Sequence, residues 1–589
     1  MGVETLTELL HVNVTRYNKP DLLMYRGRDG AFYKISSNEF KDRVVHFALG
    51  LKHLGVKPET KVSLLSENRP EWHIADFACH LLGAVVVPIF PTLIAEQIEY
   101  IVQNSDSEFV IVSNQNQLNK IQAIRRRSKK VKRVITMEGA EDQTVSFQQV
   151  LETGREQDDA DFFGRAVNLA KPEDVATIIY TSGTSGEPKG VMLTHKNIVS
   201  NFLACYKILT LDTSDLGISV LPLSHAFERT VDYFYFYTGI SILYSSIDTV
   251  AQDLPAAQPT VMAAVPRFFE KVRARVEAAV EEGGALKRKL FRWAMRVGRE
   301  KAELELAGKK VGLRLNFKHS LADQLVFSKI RARTGGRMKY FISGSAALSY
   351  EVAMFFYACG LKILEGYGLT ETAPIISFNP PEKVKPGTVG KPLSGVEVKI
   401  AEDGEILVKG PNVMKGYYKM PAATREAITE GWFHTGDIGS MDEDGYLKIT
   451  DRKKQLIVTS VGKKVAPQAI EKELEDSKYI DQVMLIGEKR KFISALIVPD
   501  FEVLRAYAES QRIAVNGNEE LIRHPDIIAL IQNEIDERQK HFSDYEKVRQ
   551  FKLLPQAFTI ESGQLTPTMK VKRRAVEKEY ANLIEEMYR

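Results

Sequence analysis

The chain has 589 residues, too many for one hydrophobic core, so two or more domains are expected. An apolar fraction of 44% is ordinary for a soluble globular protein, and a formal net charge of +4 is too small at this length for a dedicated nucleic-acid binder, so no nucleic acid is expected as a partner. Cys79, Cys205 and Cys359 stand far apart in apolar surroundings, without metal-ligand or redox spacing. They read as buried, reduced thiols of a cytoplasmic protein.

The opening MGVETLTELL has no basic stretch followed by an apolar core, so no secretory signal is expected. Leu6 stands where the myristoylation pattern requires a hydroxyl. No apolar run reaches the roughly 18–20 residues that span a bilayer. Ile74–Ile94 comes nearest and contains Asp76, His80 and two prolines, while Tyr235–Ile247 is too short. A soluble or peripheral protein is expected.

In chain order, Val62–Ser66 predicts a short strand, Glu71–Leu82 a helix and Ala84–Ile89 a β-branched strand. Glu108–Val112 and Arg133–Thr136 repeat the strand signal after helical spacers. Val175–Thr181 is uncharged and β-branched, a buried strand. Thr194 predicts an N-cap opening a helix through about Leu209. This alternation implies an α/β architecture with parallel-rich sheet. Pro266–Ala332 turns to long helices rich in Arg, Lys and Glu, broken at Gly283 and Gly284. Gly387–Thr450 is turn-rich and β-like. The expected domains are a large one over 1–450 and a small α+β one over 451–589.

The stretch Tyr180-Thr-Ser-Gly-Thr-Ser-Gly-Glu-Pro-Lys-Gly190 follows the buried strand. Its glycines let the backbone approach a phosphate, its amides and hydroxyls donate, and Lys189 adds charge. It is not the common P-loop, because Lys189 follows Pro188 and precedes Gly190 rather than Ser or Thr. A solvated surface loop is the plain alternative.

The stretch resembles the signature loop of the acyl-adenylate-forming enzymes. Tyr367-Gly-Leu-Thr-Glu-Thr372 resembles their nucleotide and magnesium motif, Gly431-Trp-Phe-His-Thr-Gly-Asp437 their ribose motif, and Asp451-Arg-Lys-Lys-Gln-Leu456 their inter-domain linker. Leu565-Thr-Pro-Thr-Met-Lys-Val-Lys-Arg573 is similar to the segment that carries their catalytic lysine. The resemblance covers nearly the whole chain. The wording WFHTGDIG and LPLSHAFER is closest to the long-chain fatty acyl-CoA synthetases.

The resemblance implies a fatty carboxylate attacking the α-phosphorus of ATP, then transfer of the acyl group to coenzyme A. On it, Thr181, Ser182, Gly183, Thr184, Ser185, Gly186 and Lys189 hold the β- and γ-phosphates. Thr370 touches the α-phosphate and Glu371 binds Mg²⁺. Tyr367 and Gly368 offer a face to adenine, with Gly344, Ser345 and Ala346 across from it. Asp437, helped by Arg452, takes the ribose hydroxyls. His225 shapes the carboxylate pocket and is not needed as a base, since a fatty acid is already ionised near neutral pH. Its alternative is a structural histidine; that of Tyr367 is a core aromatic, and that of Glu371 a solvated cap. Lys570 stabilises the adenylation transition state. Asp451 is the hinge about which the small domain turns, and Gly462 then lines the pantetheine tunnel. The chain departs from the family at Val461 and Lys464, where Gly and Asn are common. It also has Gln455 for Asp, and Ser343-Gly-Ser-Ala-Ala347 for Gly-Gly-Ala-Pro.

Two other readings stay open: a fatty acyl-AMP ligase loading a carrier protein, and a non-catalytic lipid- or nucleotide-binding protein. An aromatic or short acid is disfavoured by the long helical section. Leu286, Leu290, Trp293, Ala294 and Val297 share one helical face ringed by Lys287, Arg288, Lys289, Arg292, Arg296 and Arg299. This suits either a helix lying on the anionic inner face of a membrane or a core-facing stripe with a solvated back. The basic run Arg125–Arg133 invites the same two readings. A homodimer is also left open.

Overall fold

The computed structural model describes residues 2–139, 143–157, 159–181, 187–453, 456–560, 562–566 and 571–589. The chain packs into two units. The larger comprises Met1–Lys399, Leu407–Thr435 and Met441–Leu447, and the smaller Ile400–Ile406, Gly436–Ser440 and Lys448–Arg589.

The first sheet of the larger unit is built from β1 (Lys61–Leu65), β2 (Val85–Ile89), β3 (Phe109–Val112), β4 (Arg133–Thr136), β5 (Val175–Thr181) and β6 (Lys189–Thr194). Their order is β6-β5-β2-β1-β3-β4, with Gly416–Tyr417 added beyond β6 and Val145–Ser146 beyond β4. The strands from β5 to β4 run parallel, while β5 and β6 form an antiparallel hairpin. β2 is buried throughout, as its run of β-branched residues requires of a strand covered on both faces. Helix α1 (Pro70–Leu81) starts on Pro70, whose fixed φ suits a first turn. Helix α2 (His195–Tyr206) opens at Thr194, whose hydroxyl accepts from the Asn197 amide in a capping box. It ends at Tyr206, one turn short of the expected Leu209.

The second sheet holds β7 (Leu216–Ser219), β8 (Ser241–Tyr244), β9 (Val261–Ala264), β10 (Tyr340–Ser343), β11 (Ile363–Gly368) and β12 (Ile375–Phe378). Its order is β12-β11-β10-β9-β7-β8, continued at the β8 edge by Leu23–Arg26 and Phe32–Ile35. β11 through β8 are parallel and β12 returns antiparallel. Helix α3 (Ala226–Thr238) lies between β7 and β8 in sequence and is almost wholly buried.

Between β9 and β10 run α4 (Pro266–Glu281), α5 (Gly284–Leu306), α6 (Leu313–Ala322), a π-helical turn over Asp323–Phe327, and α7 (Ser328–Ala332). On α5, Ala294 and Val297 are buried in one apolar cluster with Phe269 and Phe356, and Trp293 packs against it. That stripe is therefore core-facing rather than lipid-facing, and only Leu286 at its start stands in solvent. The basic run Arg125–Arg133 is spent on surface ion pairs: Arg127 with Glu99, Lys130 with Asp106 and Lys132 with Glu108. All three cysteines are buried and free. Among the described residues no helix is long and apolar enough to cross a membrane.

The smaller unit takes in half of β13 (Trp432–Met441) and β14 (Leu447–Arg452) after its first residue, then a sheet of β15 (Ile480–Ile486), β16 (Ile493–Pro499) and β17 (Val548–Leu553). β15 and β16 are antiparallel and β16 and β17 parallel. Ile470 and Leu474 of helix Pro467–Glu475 and Ile531 and Ile535 of helix Pro525–Arg538 close its core.

A fully buried charge network ties the larger unit together. Arg229 on α3 donates from Nε to the Tyr233 hydroxyl (2.8 Å), from Nη1 to Thr177 Oγ1 on β5 (2.8 Å) and from Nη2 to Asp76 on α1. Tyr233 also donates to Asp76 (2.5 Å), and the Trp72 ring faces the guanidinium at 5.2 Å. Burial alone would raise the Asp76 carboxyl, but Arg229, His80 and Tyr233 together outweigh it and hold the group well below the usual range. Removing one partner of such a pair strands a charge, at a cost of about 3–5 kcal/mol. Asp76→Ala should lower the unfolding free energy of the protein, read from urea denaturation, by that amount. The pair Asp76→Leu with Arg229→Met should cost less than either single change, and equal stability of Asp76→Ala and parent would deny the network its structural role.

Candidate active site

In parallel sheets ligands gather beyond the carboxyl ends of the strands. Register puts Ala264 beside Ser343 and Ser343 beside Glu365, so β9 and β10 end together and β11 runs three residues beyond them to Gly368. Gly344, Ser345 and Ala346 follow β10, and Tyr367 and Gly368 finish β11. A Cβ on Gly344 would lie 3.1 Å from the Phe227 ring of α3, and one on Gly368 only 1.8 Å from the Pro374 carbonyl oxygen. Glycine is thus required where the β10 end meets α3 and where β11 turns back on itself. Tyr367 is buried and opposes Ser377 across the β11–β12 ladder.

Thr370 and Glu371 form a single 3₁₀ turn after β11, both half-buried. α2 supports this region through asparagine amides. Asn201 donates to the Ile375 carbonyl (2.7 Å), and Asn197 to those of Pro411 and Val413 (2.8 and 2.9 Å). Asn412 donates to the carbonyls of Thr372 and Ile375 (3.1 and 3.2 Å). The Met414 amide then donates to the Glu371 carbonyl (2.8 Å).

The chain next adds Gly416–Tyr417 to β6, with Tyr417 opposite Val191. This brings the Tyr417 hydroxyl to Glu371 Oε1 (3.0 Å), and the Lys189 ammonium to 4.8 Å from the Tyr417 ring centroid. Burial, with Glu371 beside it, pushes the Tyr417 phenol up, so it stays a donor. Thr181 pairs with Lys189, so the two ends of the phosphate loop sit opposite one another on the β5–β6 hairpin. Ser182, Gly183, Thr184, Ser185 and Gly186 lie outside the described residues. Among the described residues no group of three or more His, Cys, Asp or Glu gathers as a metal cage. One carboxylate at the mouth of a phosphate loop fits Mg²⁺, which keeps its waters and arrives on substrate phosphates.

His225 is the N-cap of α3, and its Nδ1 accepts from the Phe227 amide (3.1 Å). The ring proton therefore sits on Nε2, a donor suited to an oxygen anion rather than a base. Farther along α3, Thr230, Val231 and Phe234 line a small apolar cavity of about 20 Å³ with Phe202, Cys205 and Leu209 of the α2 region and Ile342, Ile375 and Phe378 of the second sheet. The helix that His225 caps and the strand that Gly344 follows thus also wall an apolar cavity with room for about one water.

In the smaller unit, Asp437 is buried and pairs with Arg452 (Nε to Oδ1, 3.1 Å). Lys453 braces the pair: its amide donates to the Gly436 carbonyl (2.8 Å), and its ammonium meets Glu405 (2.8 Å), which accepts from the Gly436 amide (2.9 Å). Asp451 is buried within β14, not in a loose linker. Burial raises its carboxyl to about 6. Gly462, at φ +76°, sits at the exposed tip of the hairpin Ile457–Val458/Lys464–Val465, next to the exposed Val461. Lys570 lies outside the described residues.

The motifs did not point to Tyr417, Asn201 or Asn412. Only the Gly-Tyr-Tyr run at 416–418 and the Asn197/Asn201 spacing on α2 hint at them. A hydrogen bond to a charged group is worth about 1.5–3 kcal/mol. Tyr417→Phe should therefore slow substrate-dependent exchange of pyrophosphate into ATP roughly tenfold, with an unchanged melting temperature. Tyr417→Ala, which also strips the ring from Lys189, should lose more. Full activity of both variants would remove Tyr417 from the site.

Residues 13–418 match the AMP-binding enzyme family, and residues 454–589 match the AMP-binding enzyme C-terminal domain. The long-chain-fatty-acid–CoA ligase FadD15 of Mycobacterium bovis is 36% identical over 97% of this chain and 95% of its own. Long-chain-fatty-acid–CoA ligase 5 of Rattus norvegicus is 34% identical over 99% of this chain and 88% of its own. Among solved structures, the anthranilate CoA ligase AuaEII in complex with anthranoyl-AMP superposes with a TM-score of 0.73 at 20% identity, covering 99% of this chain and 98% of its own. A Mycobacterium tuberculosis fatty acyl CoA synthetase gives 0.64 at 21% identity, covering 98% and 99%. With both of its segments matched in order, the chain belongs to the AMP-binding enzyme family.

Proposed function

We infer that the protein is a long-chain fatty acid–CoA ligase, an acid–thiol ligase that forms an acyl adenylate from ATP and passes the acyl group to coenzyme A. The observation that carries this reading is the near-full-length likeness to long-chain-fatty-acid–CoA ligases. The wholly apolar lining of the small cavity between α2, α3 and the second sheet supports it as the place where an acyl chain enters.

The roles are those that the resemblance to the family implies for these residues. Lys189 and the amides of the 181–189 loop neutralise the β- and γ-phosphates. Thr370 donates to the α-phosphate, and His225 offers its Nε2 proton to the carboxylate. Glu371, oriented by Tyr417, would hold Mg²⁺, which screens the phosphate charge as the two anions approach. Tyr367, with Gly368, takes one face of adenine and Gly344–Ala346 the other. Asp437, held by Arg452, accepts from the ribose hydroxyls. Lys570 donates to the oxygens that gain charge as the carboxylate meets phosphorus. The large domain 1–450 and small domain 451–589 then reorient about Asp451, and the Ser460–Lys464 tip with Gly462 guides the pantetheine arm.

A carrier-loading acyl-AMP ligase is the second reading, favoured only by Val461. AMP release that depends on coenzyme A decides between them. Because each buried CH₂ is worth about 0.8 kcal/mol, acids of roughly twelve to eighteen carbons should be turned over better than acetate. Equal turnover of acetate or coumarate in a competition assay would sink the long-chain assignment. The half-reactions are separable. Lys570→Ala should cut fatty-acid-dependent pyrophosphate exchange by roughly 10²–10³-fold, the scale of one preorganised donor, and still convert ready-made acyl adenylate to thioester. Asp451→Pro should keep exchange and lose thioester formation, since a fixed φ restricts the turn. A Lys570→Ala enzyme equally impaired in both assays would make that lysine structural.

A further inference from the structure

Helix α6 leaves one face uncovered. Leu315 and Ala322 bury its inner side, while Leu313 (88% exposed), Phe317 (75%) and Leu321 (44%) stand on the opposite side. At about 100° per residue these three fall within one narrow stripe. The π-helical turn that follows advances less per residue, which brings Leu325 (39% exposed) round toward the same face. Lys309, Lys310, Arg314 and Lys318 are exposed on and before α6, and no acidic residue stands between Glu305 and Asp323. Asn316 and Ser320 edge the other side. Soluble proteins seldom leave contiguous large apolar side chains this open unless something covers them.

We propose that α6 docks the enzyme on an anionic lipid bilayer. The stripe Leu313, Phe317, Leu321 and Leu325 enters the boundary between headgroups and acyl chains, and the four cations lie at the level of the lipid phosphates. A second copy of the chain is a poorer occupant, because a two-fold contact through this stripe would set the four cations of one copy against those of the other. The neighbouring α5 stripe, which carries the same sequence signature, is taken up by the core. The proposal goes beyond the ligase reading and stands without it, since its test needs no turnover.

Full-length protein is sedimented with vesicles of phosphatidylglycerol and phosphatidylcholine, and with phosphatidylcholine alone, at low and high salt. Binding is expected to the anionic vesicles and to weaken with salt. Leu313→Ser/Phe317→Ser, which leaves the charge unchanged, should lower it at least about tenfold. Lys309→Gln/Lys310→Gln should lower it by roughly fivefold per cation. Circular dichroism and retained pyrophosphate exchange verify that the variants fold. No binding to anionic vesicles at low salt, or binding that the serine variant leaves intact, would overturn the proposal. So would a wild-type dimer in light scattering that the serine variant dissociates, since the stripe would then belong to a second copy.

Discussion

The larger unit is organised around a guanidinium with no access to water. Arg229 can remain charged only because Asp76 neutralises it and Thr177, Tyr233 and the Trp72 ring take up its remaining donors and face. The partners come from different elements, so their geometry is shared. Thr177 lies on β5, whose end begins the phosphate loop, and Arg229 lies one turn into the helix that His225 caps. The network thereby ties β5 to the first turn of α3. A second buried set lies alongside: His73 Nδ1 meets the Tyr244 hydroxyl at 2.7 Å, and Ser219 donates to Asp232. Burial, with Asp232 beside it, raises Glu228 well above the carboxylate range, and burial does the same to Asp232.

Above this base the polar groups of the larger unit are placed by backbone rather than by side-chain reach. Amides of Asn197, Asn201 and Asn412 fix the carbonyls of residues 372, 375, 411 and 413, and the two-residue pairing of Gly416–Tyr417 with β6 does the rest. Glu371 and Lys189 come from segments far apart in the chain. They meet on opposite sides of one tyrosine, the carboxylate at its hydroxyl and the ammonium at its ring. That arrangement holds the two opposite charges apart rather than closed on one another as a simple ion pair.

The strands of the first sheet were legible because buried parallel strands are short runs rich in β-branched residues: Arg133–Thr136 and Val175–Thr181 begin and end where the sequence puts them. The motif glycines were legible too, since Gly344 and Gly368 sit where a Cβ would strike Phe227 or Pro374. Tyr417 was not, because its role depends on a strand pairing between residues more than two hundred positions apart, and periodicity carries no such information. The long helices mark another boundary. Leu290 to Val297 and Leu313 to Leu321 both read as apolar stripes with basic flanks, yet Ala294 and Val297 are core and Leu313 and Phe317 are open. A helical period says which residues share a face, not which way the face points.

α3 shows how one element serves three purposes, and why they cannot vary independently. Its cap, His225, presents a proton toward the strand ends. One of its faces, with Thr230, Val231 and Phe234, walls the apolar cavity. The opposite face, with Arg229, Asp232 and Tyr233, sits in the buried polar network. A helix buried all round has no solvent side on which to absorb a shift. Enlarging a side chain on the cavity face therefore pushes the guanidinium against Asp76 and Thr177, and through Thr177 the strand that feeds the phosphate loop. The side chains that wall the cavity and those that tie α3 to β5 are coupled through the rigidity of a single helix.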